Sequence, residues 1–202
     1  MIILIKNKLI ILVGLFAFFL GCREVNVPKP KGYFRIDLPV REYLVIGNNA
    51  SPGRDLPMQF EFPSYGRVTA SAGAGPGDKW FNIEIKPYHA TIYFTYIDIH
   101  DDLDSLMEQN YRINIRNHVA RADAINEIVI DNPGNNVYGI LYDLKGNTAT
   151  AVQFFVTDSI RHYLRGSLYF SAEPNPDSLE PLTSFFREDI VHLIETLRWN
   201  AE

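Results

Sequence analysis

Apolar positions change their spacing along this chain, and the changes divide it into three stretches. Residues 9–21 are apolar or glycine throughout, and Lys6 and Lys8 just ahead of them are the only charges in the first 21 positions. That run is shorter than the ~20 residues a membrane-spanning helix needs. Its layout, a charged n-region followed by an h-region, predicts an export signal over residues 1–21. Residues 22–31 show no apolar period and include Pro28 and Pro30, so they read as an extended tether. The folded body is expected over residues 32–202 as one domain.

Within the body the first period is two. Phe60 and Phe62 flank Glu61, and Phe81, Ile83 and Ile85 alternate with polar neighbours until Pro87 ends the run. Residues 91–97 are β-branched and aromatic throughout, the pattern of a strand covered on both faces. Loops are expected at residues 47–53 and 71–77.

The period then becomes helical. Asp101 or Asp102 is placed to cap a helix with Leu103, Leu106, Met107, Tyr111 and His118 on its inner stripe, ending near Ala120. Residues 124–130 read as a strand. Residues 137–144 turn through Lys145, Gly146 and Asn147 into 148–157, and Asp158 and Ser159 turn into 161–170. Ser178 is read as the N-cap of a final helix, with Pro181 in its first turn, where a missing N–H costs little. Leu179, Leu182, Phe186, Ile190, Leu193, Ile194 and Leu197 form its apolar stripe, and Trp199 would seal its end.

This order predicts an α+β fold, an antiparallel sheet flanked by helices, one on each face. The strand, helix, four strands, helix of the second half resembles the Mog1/PsbP-like α/β/α sandwich, a fold that serves unrelated roles and assigns no function by itself.

Composition sharpens this picture. The chain is 47% hydrophobic, which excludes intrinsic disorder. Its net charge of -5 argues against nucleic acid as a partner, since phosphate contacts require a basic face. Without residues 1–21 the balance is 17 basic against 24 acidic side chains, a net of -7. Cys22 is the single cysteine, which excludes an intrachain disulfide and a cysteine-built metal site.

Phe19-Leu20-Gly21-Cys22 resembles the lipobox of bacterial lipoproteins, departing from the pattern at Phe19. The Cys22 thiol is the expected lipid-attachment point, and each buried methylene of its acyl chains contributes ~0.8 kcal/mol of membrane binding. Arg23, where an aspartate would favour inner-membrane retention in some bacteria, leans towards the outer membrane. Arg23, Lys29, Lys31 and Arg35 outnumber Glu24 and Asp37 near the tether, which reads first as a solvated linker and second as a basic segment suited to anionic headgroups.

Catalytic chemistry is sparse. His89, His100, His118, His162 and His192 include no pair at metal-ligating spacing. His100, Asp101, Asp102 and Asp104 read first as a helix cap and second as a divalent-ion site. Ser64 lacks the flanking glycines of a nucleophile elbow. The glycine-rich residues 73–77 lack the lysine and serine of a phosphate loop. No catalytic residue, cofactor or metal is assigned. Tyr33, Phe34, Tyr43, Tyr65 and Tyr138 are the aromatics expected near the surface, either suited to protein contacts or serving as amphipathic edges of the core.

Four stretches carry a family resemblance: PKPKGYFRID at residues 28–37, KPYHATIY at 86–93, QFFVTDS at 153–159 and HYLRGSLYF at 162–170. They are similar to the gliding-motility lipoprotein GldD family, and the likeness extends over essentially the whole chain. The resemblance implies a lipid-anchored, non-enzymatic accessory protein needed for gliding motility and type IX protein secretion. It would support assembly or stability of that machinery, contacting its other proteins and the membrane through the lipid on Cys22. The expected location is the cell envelope, at the outer membrane facing the periplasm. The alternative is a periplasmic ligand-binding lipoprotein whose cleft involves residues 71–77 and His89. A hydrolase using Ser64 or the acidic helix cap is a third reading.

Overall fold

The computed structural model describes residues 35–46, 56–75, 78–171 and 176–200. The expected signal segment, Cys22, the tether, Tyr33, Phe34 and the loop at 47–53 lie outside the described residues. All contacts below belong to the unit that begins at Ile36.

Two antiparallel sheets and two helices make up the described body. The smaller sheet has β2 (Met58–Pro63) at its centre, between β1 (Tyr43–Ile46) and β10 (Arg198–Trp199). The larger contains β3 (Arg67–Ala70), β4 (Phe81–Ile85), β5 (Ala90–Asp98), β6 (Ala122–Asn132), β7 (Val137–Gly146), β8 (Thr150–Thr157) and β9 (His162–Phe170). Its spatial order is β3-β4-β5-β9-β8-β7-β6. Helix α1 (Leu103–Tyr111) follows β5, and α2 (Pro176–Thr196) follows β9. The fold is therefore α+β with antiparallel pairing, as the order of periods indicates.

The two faces of the large sheet differ because its strands alternate. On one face Ile83, Ile92, Phe94, Phe154, Leu164 and Leu168 are fully buried. This face is covered by α2, whose Phe186, Ile190 and Leu193 are likewise fully buried, and by β2, whose Phe60 stacks on Phe81 and Phe94. Gly166 lies opposite both Phe94 and Phe154 in register. A Cβ there would sit 2.2 Å from the Phe154 ring, so glycine is what lets that ring cross the strand.

The opposite face is covered in part. Leu106 of α1 packs there with Tyr142, Leu144, Phe155 and Tyr163. Past that cluster the face is polar and open, with Thr95, Arg165, Ser167 and Tyr169 beside Tyr93, which is 46% exposed. Residues 91–97 are thus buried on one side and not on both. β-branched and aromatic residues satisfy either environment, so composition alone does not separate the two.

Both helices differ in detail from their periodicity. After Tyr111 the chain passes into a π-helical turn, Arg112–Arg116, and the inner stripe runs through Leu106 and the buried polar Asn110. Met107 and Tyr111 consequently stay on the exposed flank, while His118 does turn inward. Helix α2 starts at Pro176, which is the proline suited to a first helical position. Pro181 lies inside the helix, where it removes one backbone donor. Trp199 belongs to β10, donates its indole N–H to the Asn136 carbonyl at 3.0 Å and stacks on His162.

Candidate functional site

The residues singled out for chemistry do not converge. Ser64 is exposed in the turn after β2, its backbone N–H donating to the Glu42 carbonyl. Asp102 occupies the N-cap position of α1, yet its carboxylate accepts the His100 backbone N–H and caps no helix amide. Among the described residues no group of three or more His, Cys, Asp or Glu side chains is placed to hold a metal ion. Residues 71–75 follow β3 and precede Phe81, whereas His89 lies past Ile85, at the other end of β4. Residues 71–75 and His89 are therefore not brought together, because the length of β4 separates them. His89 instead lines a separate hollow with Glu84, Lys86 and Thr91.

Tyr43 and Tyr65 are not free surface aromatics either. Both hydroxyls donate to Asp189 on α2, that of Tyr43 at 3.0 Å, and Arg41 approaches the same carboxylate at 3.3 Å. Asp189 is 1% exposed, and burial pushes its carboxyl above the ordinary value against the pull of these three partners. Burial and the bond to Asp189 push the Tyr43 phenol up to about 12 and raise Tyr65 further, so both stay protonated donors. The cluster fastens β1 and the β2–β3 turn to α2.

A second cluster surrounds His162. The Tyr96 hydroxyl lies 2.6 Å from His162 Nδ1 and 2.8 Å from Asp98 Oδ1, and Lys79 sits over the Tyr96 ring. Burial holds the imidazole below its ordinary value, and Asp158 and Asp98 pull the other way without outweighing it. Asp158 accepts the backbone N–H groups of Ile160, Arg161 and His162 at 2.8–3.0 Å, which closes the β8–β9 hairpin.

The arrangement best suited to a ligand lies on the open face of the large sheet. Alternation along β9 puts Tyr163, Arg165, Ser167 and Tyr169 on that face, and β8 adds Gln153 beside them. Arg165 Nη2 donates to Gln153 Oε1 at 3.4 Å, and Gln153 Nε2 lies 3.2 Å from His118 Nε2. The direction of this chain follows from protonation. Burial, reinforced by the Arg165 charge, lowers His118, so its neutral Nε2 accepts the Gln153 amide and leaves the amide oxygen to the guanidinium.

Next to this chain is a cavity of about 530 Å³, lined by Arg165, Tyr93, Thr95, Ser167, Tyr169 and Phe170. A smaller one of about 170 Å³, under α1, shares Thr95 and Arg165 with it and adds Asn110 and Tyr163. Sequence reasoning did not single out Arg165, Gln153 or His118 as a group. The available signal was two long polar side chains, Gln153 and Arg165, set into the middle of strands that are mostly apolar or aromatic.

The comparisons with known proteins follow the same boundaries as the fold. No curated protein matches the chain. Among solved structures it is similar to the solution structure of cyanobacterial PsbP (CyanoP) from Synechocystis sp. PCC 6803, at 12% identity and a TM-score of 0.47. That similarity covers 82% of this chain and 97% of the other. The sequence model of the gliding motility lipoprotein GldD family matches residues 23–199, a span that takes in every described strand and helix. The chain belongs to the gliding motility lipoprotein GldD family.

Proposed function

We propose that this protein is a non-enzymatic, lipid-anchored accessory of the gliding and type IX secretion machinery that supports its assembly or stability. The family match over residues 23–199 carries the reading. The lipobox ending at Cys22 supports the anchor, with a diacylglyceryl group on the thiol and palmitate as an acyl chain, and Arg23 supports the outer membrane, facing the periplasm. The body adds a physical reason to expect protein partners. Strand β6 spans Ala122–Asn132 at the edge of the large sheet, with Val129 77% exposed. An edge of that length presents backbone donors and acceptors to which a partner strand can add.

Crosslinking in intact cells, followed by mass spectrometry of the captured peptides, tests the reading. Peptides from envelope proteins of the motility and secretion machinery, joined through the described body, are expected. Crosslinks confined to lipid and to abundant unrelated envelope proteins would contradict it.

A further inference from the structure

We propose that β6, with the groove between β6 and α2, docks an extended segment of a partner protein as a further strand of the large sheet. That segment carries two basic residues with three apolar residues between them. The proposal names the partner chemistry for the accessory role above, and it rests on that reading for the expectation that the partner is a protein.

The position of the added strand follows from the edges of the sheet. Among the described residues β3 forms one edge and is four residues long, whereas β6 runs for eleven, Ala122–Asn132, and pairs only with β7. Alternate residues of such an edge turn their N–H and C=O groups outward, where another strand fits ~4.8 Å away.

The two faces of β6 set what that strand must carry. Ile128 pairs in register with Leu141 of the core, so Ile128 and Ile130 face α2. They open onto a groove of about 340 Å³ whose far wall is Val191 and Ile194. Ile128 is 40% exposed and Val191 half-buried, apolar surface that a partner's side chains would take out of water. Arg187, also in this groove, is held by both oxygens of Asp143 at 2.8 and 2.9 Å, which leaves Glu195 to give the groove a negative rim.

On the opposite face Glu127, Val129 and Asp131 alternate, all three exposed. Among the described residues no ion pair includes Glu127 or Asp131, and β6 has no basic side chain of its own. In an added strand, the positions beside Glu127 and Asp131 gain from a basic side chain at each. The position between them meets Val129, 77% exposed, and the other two turn into the groove against Ile128 and Ile130. The resulting order, basic, three apolar, basic, is the same for either strand direction.

Charge also decides between occupants. Two copies of β6 pairing edge to edge would set acid beside acid, in a chain with 17 basic against 24 acidic side chains beyond residue 21. Like charges facing each other destabilise a strand pair, and charges on an edge keep it from pairing with itself. The same carboxylates favour a partner strand of opposite sign.

The test is fluorescence anisotropy with the full chain in a non-ionic detergent. The probes are the labelled, end-blocked peptide Thr-Lys-Ile-Val-Ile-Lys-Thr and its counterpart with arginine at both basic positions. Controls carry glutamate at those two positions, or the same residues in scrambled order. Saturable binding of the basic peptides is expected, with both controls at least ~10-fold weaker and with hydrogen exchange slowed along β6. The double variant Glu127→Lys, Asp131→Lys changes only exposed positions and so keeps the fold. It should weaken the basic peptides by a similar factor and gain the glutamate peptide. Ile128→Asp, on the groove side, should weaken binding without reversing the preferred charge. No saturable binding of either basic peptide, binding indifferent to the charge reversal, or protection confined to other strands would overturn the proposal. So would a dimer of the full chain that the double variant dissolves, since that assigns the edge to a second copy. These results leave the accessory role untouched, because that role is read from crosslinks and deletion phenotypes.

Discussion

Desolvation outweighs pairing at several titratable residues of this protein, His118, His162 and Asp189 among them, whereas hydrogen bonds win at Asp158. His118 and His162 are both held below the ordinary imidazole value, burial being the leading cause in each. Unfolded histidines take up protons near pH ~6.5, while the folded ones resist until a lower pH. Over that window the unfolded state binds more protons, so stability rises with pH and falls on acidification. The urea midpoint should therefore drop between about pH 7 and pH 5, and His162→Gln should flatten the slope. A midpoint that rises on acidification, or an identical slope in the variant, would refute this assignment. Arg165 and Gln153 follow the same logic of burial, which no local pattern in the sequence reports. A polar residue in a strand reads as solvent-facing in sequence. Only the register of β8 against β9, together with a helical segment that delivers His118 from outside the sheet, shows that these polar atoms converge.

Elements are legible where one period persists and illegible where it is interrupted. The alternation at Phe81, Ile83 and Ile85 and the long stripe of α2 correspond to buried faces in the structure. The inner stripe of α1 runs through Leu106 and the polar Asn110, so a stripe drawn through apolar positions alone misplaces Met107 and Tyr111, and the π-helical turn that breaks the 3.6-residue count comes only after both. Tyr43 and Tyr65 read as surface rings in the sequence because each sits in or near a loop. Their partner Asp189 is more than a hundred residues away on α2, and no local pattern reports such a pairing. The consequence is measurable. Tyr65→Phe removes one donor from a buried carboxylate and leaves the packing of the ring, so it should cost about 2 kcal/mol in urea unfolding. An unchanged midpoint would mean that Tyr43 and Arg41 alone satisfy Asp189.

At the scale of the whole molecule, the two faces of the large sheet have different tasks. One is sealed by α2 and the three-stranded sheet, and its packed aromatic rings give a rigid body. The other is left half open, polar and centred on Arg165, and β6 is left as an edge. Such a body presents an open face and a strand edge to its surroundings, and the chain belongs to a family of gliding motility lipoproteins. The α+β order could be read from the chain because hairpins join neighbours in sequence. The open face could not, because exposure depends on how far α1 reaches across the sheet. The most direct test of the proposed role is a clean chromosomal deletion, complemented with the wild-type chain and assayed in parallel for surface spreading and for type IX secretion. Loss of both, restored together by the wild-type chain, is the predicted result; normal spreading and normal secretion in the deletion strain would contradict the account.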